Sequence, residues 1–174
     1  SDAEQLSKNL GNPYDIVPIK NIYESFLTEL KPIYKDLPFS LAEENIQART
    51  RGNLLMAIAN KFGYILLNTS NKSELATGYG TLYGDMAGGF AVLKDVSKTM
   101  VYQLCEYRNQ ISPVIPVRII QRAPSAELRA NQTDQDTLPP YEILDAIIEA
   151  YVEKNYSPAE IMALNHNEAD VARV

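Results

Sequence analysis

The sequence has few of the residues that build covalent cross-links and soft-metal sites. Among its 174 residues there is one cysteine and one histidine. A single cysteine cannot form an internal disulfide, which fits a reducing compartment such as the cytoplasm. The same scarcity excludes a metal cluster built from histidine and cysteine, although oxygen ligands for Mg²⁺ are present.

Long apolar runs and excess positive charge are also missing. No apolar stretch approaches the roughly 20 residues that a membrane-spanning helix needs, and residues 1–4 are too polar for a signal peptide. The formal charge of −6 argues against nonspecific electrostatic binding to nucleic acid or to an anionic membrane. We therefore expect neither partner, and a phosphate-bearing ligand would have to be held by a few local cations and backbone N–H groups.

Apolar residues make up 45% of the chain, enough for a core, and the length fits a single domain over residues 1–174. Cap signals and apolar spacing predict helices over the following ranges: 2–10, 21–30, 43–62, 98–109, 116–121, 140–154, and short ones after Ser157 and Asn167. Strands are predicted at 14–19 and 64–67, the second buried on both faces. This order predicts an α/β domain with a parallel sheet and right-handed crossovers. Two strands are fewer than the ~4–6 of a usual sheet, so we expect part of a domain.

Two segments after the strand at 64–67 are candidate ligand contacts. Ligands of open parallel sheets bind beyond the carboxyl ends of the strands, and the polar residues 68–74 occupy that position. The alternative is an N-capped loop without function. Residues 78–89 are rich in glycine, which allows close approach of backbone to a ligand. They could equally be a surface loop, although Tyr79, Tyr83 and Phe90 favour a site.

Three further features are open to two interpretations. The polar face of helix 43–62, which includes Asn45 and Arg49, is either a solvated face or a holder of phosphate or carboxylate. Lys98 lies one residue inside a predicted N-cap, where a cation opposes the helix dipole. It is either an ordinary surface lysine or a ligand contact. Cys105 is interpreted as core filler and His166 as structural or solvated.

Several motifs, taken in order, resemble one family and cover nearly the whole chain. They lie at residues 44–56, 69–74, 83–96 with Lys98-Thr99, and 122–128 with the later Gln132, Asp134 and Asp136. Together they are similar to the synthetase domain of the glutamine-dependent NAD⁺ synthetases. The resemblance implies a doubly wound parallel α/β sheet of the adenine-nucleotide α-hydrolase-like type. It identifies residues 1–174 as part of an ATP-pyrophosphatase domain.

The resemblance also implies a reaction. ATP adenylates the nicotinate carboxylate of deamido-NAD⁺, pyrophosphate leaves, and ammonia, free or derived from glutamine, displaces AMP. ATP would be the co-substrate and Mg²⁺ the cofactor. Such chemistry needs no nucleophile from the enzyme, which agrees with the absence of a Ser/His or Cys/His arrangement.

The resemblance assigns roles to seven residues of the matching motifs. Three would contact ATP: Thr69, Lys98 and Ser125. Four would contact deamido-NAD⁺: Asn45, Arg49, Glu74 and Asp85. Glu74 would also be the Mg²⁺ ligand. The resemblance further implies a homo-oligomer, and we expect it to form through the helix at residues 43–62.

The chain departs from the family pattern in three places. It contains no Ser-Gly-Gly-x-Asp-Ser pyrophosphate loop, no basic C-terminal substrate segment and no amidotransferase domain. We therefore expect a fragment that is inactive by itself. Two other functions stay open: another adenylating ligase of the ATP-pyrophosphatase type, such as a GMP synthetase or a tRNA-modifying ligase, or a non-catalytic dimerisation module.

Overall fold

The computed structural model describes residues Ser1–Val174 as nine α-helices around a two-stranded sheet. In chain order the elements are α1 (Asp2–Leu10), α2 (Lys20–Tyr34), α3 (Leu41–Phe62), β1 (Leu67–Asn68), α4 (Lys72–Ala76), β2 (Phe90–Ala91), α5 (Lys98–Ile111), α6 (Val117–Gln121), α7 (Tyr141–Ile148), α8 (Pro158–Ala163) and α9 (Glu168–Arg173). One turn of 3₁₀ helix lies at Asp134–Asp136, and α7 continues as a π-helix over Glu149–Glu153. No helix combines the length and apolarity needed to cross a membrane.

Cap residues set most helix boundaries where the sequence predicts them. Ser1 forms a capping box ahead of α1, and Gly11, with φ 70°, ends that helix. For α3 the cap is Ser40, so the helix begins two residues before the predicted start at 43 and ends at Gly63 as expected. α2 begins at Lys20, one residue before the predicted start at 21, and has no side-chain cap; it ends at Tyr34, four residues beyond the predicted end.

The predicted strand at 14–19 is wrong. These residues form an irregular link between α1 and α2, and Ile16 is 72% exposed. Proline at 13 and at 18 removes two backbone donors, and no neighbouring strand supplies a ladder. β-branched residues alone do not make a strand without a partner.

The parallel pairing is confirmed, but its location differs from the prediction. β1 covers only Leu67–Asn68 and pairs in parallel with β2, with Leu67 opposite Phe90 and Asn68 opposite Ala91. β2 follows the glycine-rich stretch and was not predicted. The expected burial of strand 64–67 on both faces is also wrong, since Tyr64 is 67% and Ile65 74% exposed.

α3 packs through small residues and not through the large apolar stripe that its sequence suggests. Phe62 is 64% exposed and Leu55 49% exposed. The buried positions include Ala48 and Gly52. A Cβ on Gly52 would lie 2.8 Å from the carbonyl oxygens of Tyr83 and of Gly84, so glycine allows the helix to touch the backbone of the glycine-rich segment.

The hydrophobic core is centred on α7. One cluster consists of Leu138, Tyr141, Leu144 and Ile148, and a second of Ile147, Ala150 and Ile161. Leu144 is 0% exposed, and burying such a side chain contributes about 1.5–3 kcal/mol. Because α7 carries this core, its polar residues are held in fixed positions against α4 and α5.

Candidate functional site

A cleft of about 1020 Å³ opens between α3, the carboxyl end of β1, the glycine-rich segment, the start of α5 and residues 122–137. Six of the seven predicted site residues line it: Asn45, Thr69, Glu74, Asp85, Lys98 and Ser125. Arg49 lines a neighbouring cavity of about 820 Å³ instead. Its Nε donates to the carbonyl oxygen of Leu82 at 3.1 Å. The sequence positions from 45 to 125 thus converge on one cleft, with Arg49 beside it.

Glu74 lies in the first turn of α4, and both of its carboxylate oxygens have partners. Oε2 accepts the backbone N–H of Asn71 at 3.2 Å, which completes a capping box. Oε1 pairs with the ammonium group of Lys98 at 3.1 Å. The side chains of Glu74 and Lys98 are only 21% and 19% exposed, so the pair is poorly screened by solvent.

Lys98 is the first residue of α5, as its cap signal predicts. A cation at a helix N-terminus is unfavourable. Glu74 compensates its charge, and the ring of Tyr141 lies 5.4 Å from Nζ, within the range of a cation–π contact. Burial first, and then the hydrogen bond to Asp134, raise the pKa of Tyr141 and keep it neutral.

The N-terminus of α4 does not form an anion site of free backbone N–H groups. The helix has only five residues. The N–H of Lys72 donates to the carbonyl oxygen of Val96 at 2.9 Å, and the N–H of Glu74 donates to Oδ1 of Asn71 at 3.0 Å. These donors are already used within the protein.

Asn45 and Asp85 fix the tip of the glycine-rich segment through Thr81. The hydroxyl of Thr81 donates to Oδ1 of Asn45 at 2.8 Å, and its N–H donates to Oδ1 of Asp85 at 2.8 Å. Thr81 itself is 7% exposed. Two predicted substrate residues, one on α3 and one on the loop, are thereby joined to a single buried turn.

Residues 122–139 contribute to the lining of the cleft. They lack regular structure apart from the 3₁₀ turn at Asp134–Asp136, and two of their residues contact α3. Nε of Arg129 pairs with Glu44 at 3.4 Å, and Nε2 of Gln47 donates to the carbonyl oxygen of Leu128 at 3.3 Å. Ser125 lies in this segment, and its hydroxyl accepts the N–H of Glu127 at 3.0 Å.

Asp134 connects the same segment to α7, a role not expected from the sequence. It is 3% exposed, and its Oδ2 accepts the hydroxyl of Tyr141 at 2.6 Å. Its Oδ1 is buried without a hydrogen-bond partner. Burial, and then the charge of Asp134, raise the pKa of the neighbouring Tyr79 to about 12.

Asp145 is the other functional candidate that sequence reasoning missed. It accepts hydrogen bonds from the hydroxyl of Ser73 and from the N–H of Thr99, the latter at 2.8 Å. The signal in the sequence was weak, because residues 140–154 contain four acids, and Asp145 is the one that lies between Leu144 and Ala146. Such a residue normally has a buried polar partner.

The donors at the cleft fit Mg²⁺ only in part. No group of three or more His, Cys, Asp and Glu side chains could hold a metal ion by itself. Glu74 offers one carboxylate, and Mg²⁺ is commonly held by one or two carboxylates together with substrate phosphates and water. The site therefore suits a metal that arrives with a phosphate ligand.

Comparison with known proteins decides the family. The family model described as NAD synthase matches residues 1–174. The chain belongs to the NAD synthase family. A glutamine-dependent NAD(+) synthetase of Aquifex aeolicus is 57% identical over 161 residues, which are 92% of this chain and 28% of that protein.

Solved structures of the family agree. The glutamine-dependent NAD⁺ synthetase of Acinetobacter baumannii, in complex with ADP, superposes with a TM-score of 0.69 at 45% identity and covers 99% of this chain. An NMN synthetase from Francisella tularensis gives a TM-score of 0.77 at 30% identity over 86% of this chain. The chain spans 30% and 59% of the lengths of these two proteins.

These likenesses confirm the expected fold, the adenine-nucleotide α-hydrolase-like type. The small parallel sheet is compatible with an incomplete domain of that type.

Proposed function

We propose that this chain carries the ATP-binding part of a ligase that amidates deamido-NAD⁺ to NAD⁺. The observation that supports it best is the cleft lined by six residues to which the family motifs assign ATP or substrate contacts. Residues 1–174 would then be part of a single ATP-pyrophosphatase domain, and the enzyme would work in the cytoplasm with ammonia that is free or derived from glutamine.

The proposed reaction has two displacements. A carboxylate oxygen of the nicotinate group attacks the α-phosphorus of ATP, the bond from this phosphorus to the bridging oxygen breaks, and pyrophosphate leaves. The nitrogen of ammonia then attacks the acyl carbon, the C–O bond to the adenylate breaks, and AMP leaves as a proton is lost from nitrogen. Catalysis rests on positioning and on neutralising phosphate charge.

Lys98, Thr69 and Ser125 would contact ATP, Lys98 through its ammonium group and the other two through hydroxyls. Glu74 would hold Mg²⁺, which would supply further positive charge beside the phosphates. Because Glu74 and Lys98 pair with one another at 3.1 Å, contact with ligand requires this pair to separate. Lys98 would then pair with phosphate and Glu74 with Mg²⁺, so neither charge would be left unpaired in a poorly solvated place.

Asn45, Arg49 and Asp85 would hold deamido-NAD⁺. Arg49 lies in the second cavity, but Gly52 and Ala87 line both cavities. The two spaces therefore adjoin, and an elongated dinucleotide could extend from one towards the other.

Self-association through α3 is part of the proposal. Leu55 and Phe62 are exposed on this helix, and a two-fold interface would bury them. Light scattering of the purified protein should give twice the mass of one chain, and Leu55→Glu should lower it to the monomer. A monomer at high concentration in the parent protein would contradict this part.

The test of function is product formation. A complete enzyme carrying this sequence should form an amide, AMP and pyrophosphate from ATP, ammonia and deamido-NAD⁺. The similarity to an NMN synthetase makes the deamidated mononucleotide the informative second acceptor, and xanthosine monophosphate tests a GMP synthetase. Preference for either over deamido-NAD⁺ would contradict the proposal, and absence of nucleotide binding would favour a non-catalytic module.

A further inference from the structure

Side chains from three places in the chain cap the backbone N–H groups at the N-terminus of α5. The N–H of Lys98 donates to Oγ of Ser73 at 2.8 Å, and the N–H of Thr99 donates to Oδ2 of Asp145 at 2.8 Å. The N–H of Met100 donates to Oγ of Ser97 at 3.3 Å. The first three backbone donors of the helix are thus satisfied, and one acceptor is an anion placed where the helix dipole favours negative charge.

Asp145 also binds Ser73 directly. The hydroxyl of Ser73 donates to Oδ1 of Asp145, while its oxygen accepts the N–H of Lys98. Ser73 is 0% exposed, so water cannot replace either bond. One carboxylate therefore links α4, α5 and α7, and it does so with one oxygen for each donor.

Ser73, Thr99 and Asp145 form a junction that adjoins both residues of the ion pair, Glu74 and Lys98. Ser73 precedes Glu74 in the chain, and Thr99 follows Lys98. Tyr141 lies one helical turn before Asp145 on α7, and its ring faces the ammonium group of Lys98 at 5.4 Å. α7 therefore fixes the backbone beside Lys98 with one residue and contacts its charged end with another.

We propose that Asp145 is a positioning residue of the nucleotide site. By joining the N-termini of α4 and α5, it sets where Glu74 and Lys98 enter the cleft. Because Asp145 and Ser73 occupy the first donors of α5, this helix contacts phosphate through the Lys98 side chain and not through its N-terminal N–H groups. The inference deepens the proposed function and rests on its use of Glu74 and Lys98.

The test compares Asp145→Asn with Glu142→Gln in a complete enzyme carrying this sequence. Asparagine keeps the shape of Asp145 but has one acceptor oxygen instead of two. Glu142 is an exposed acid on the same helix, so Glu142→Gln removes the same charge without touching the junction. The readouts are kcat and KM for ATP, kcat and KM for deamido-NAD⁺, and the melting temperature.

Asp145→Asn should lower kcat/KM for ATP by about 10- to 100-fold, the range seen when a group that orients a ligating side chain is removed. KM for deamido-NAD⁺ should change less than KM for ATP, because Asn45 and Asp85 are held through Thr81 and only Glu74 among the expected substrate contacts adjoins this junction. Glu142→Gln should match the parent enzyme in every readout.

A purely structural role gives a different pattern. It would lower the melting temperature of Asp145→Asn and leave kcat/KM for ATP unchanged while the variant is folded, and this would overturn the inference. If Asp145→Asn does not fold, Ser73→Ala replaces it in the test. This variant removes the hydroxyl that binds both Asp145 and the N–H of Lys98, and it keeps the charges of Asp145 and Lys98. Unchanged ATP kinetics in Ser73→Ala would overturn the inference in the same way. A parent enzyme without amide formation would overturn the proposed function as well, whereas an active parent with an insensitive Asp145→Asn overturns this inference alone.

Discussion

Replacing Glu74 with glutamine separates its role in the fold from its role towards a ligand. Glutamine can still complete the capping box with Asn71, because that motif accepts either Glu or Gln. The change removes the charge that faces Lys98 at 3.1 Å. An exposed ion pair contributes ~0–1 kcal/mol and breaking a buried one costs ~3–5 kcal/mol. For side chains that are 21% and 19% exposed, we expect the free energy of unfolding to fall by about 1–2 kcal/mol.

The loss of activity should be much larger than this loss of stability implies. A charge-assisted contact contributes roughly 1.5–3 kcal/mol, and since 1.36 kcal/mol is a factor of ten in rate, kcat/KM should fall by about 10- to 150-fold. Initial rates of amide formation at limiting and saturating Mg²⁺, with thermal melting in parallel, measure both quantities. Glu106→Gln, an exposed acid on α5, is the control. Unchanged turnover at limiting Mg²⁺ would refute the assignment, and loss of activity through unfolding would leave Glu74 with a structural role only.

Three other changes test the fold around the cleft. Gly52→Ala should lower the free energy of unfolding by about 1–3 kcal/mol through overpacking, because its Cβ would lie 2.8 Å from two carbonyl oxygens. Denaturant unfolding measures this loss, and the control Lys61→Ala on the same helix should leave the free energy of unfolding unchanged. We expect residues 122–139 to become ordered over bound nucleotide, as active-site lids do. They should then exchange amide hydrogens more slowly with ATP and deamido-NAD⁺ than without, and Arg129→Ala should speed exchange in the unliganded enzyme. Equal protection in both ligand states would contradict this ordering. The raised pKa of Tyr79, about 12 against an ordinary 10.0, means that the folded state keeps a proton that the unfolded chain loses. Stability should therefore fall as pH rises from 10 to 12, and Tyr79→Phe should flatten this fall in unfolding titrations; an unchanged slope would contradict it.

The sequence allowed most helices to be predicted because their signals are local. Capping boxes such as that of Ser1 and stops such as Gly63 act within one turn, and the structure has them where they were expected. The strands could not be placed the same way, since β1 depends on a partner, Phe90–Ala91, that follows a glycine-rich stretch. An isolated apolar run does not reveal which residues will pair with it.

The candidate site was predictable as a set of residues but not as a geometry. The motifs identify Glu74 and Lys98, yet nothing in the pattern predicts that they pair with each other. Asp145 was missed because its partners, Ser73 and Thr99, lie far from it in the chain and become neighbours only through packing of α7. Contacts of this kind follow from tertiary structure and not from local sequence.

The central claim is that the cleft at Glu74 and Lys98 binds ATP, and calorimetric titration of ATP with Mg²⁺ into a complete enzyme carrying this sequence tests it most directly. Lys98→Met keeps an unbranched side chain that is one heavy atom shorter and removes its charge, while Lys94→Met makes the same change at an exposed position nearby. We expect the parent and Lys94→Met to bind equally. Lys98→Met should bind about 10- to 150-fold more weakly, as expected for the loss of one charge-assisted phosphate contact. Equal affinity in all three proteins would contradict the claim.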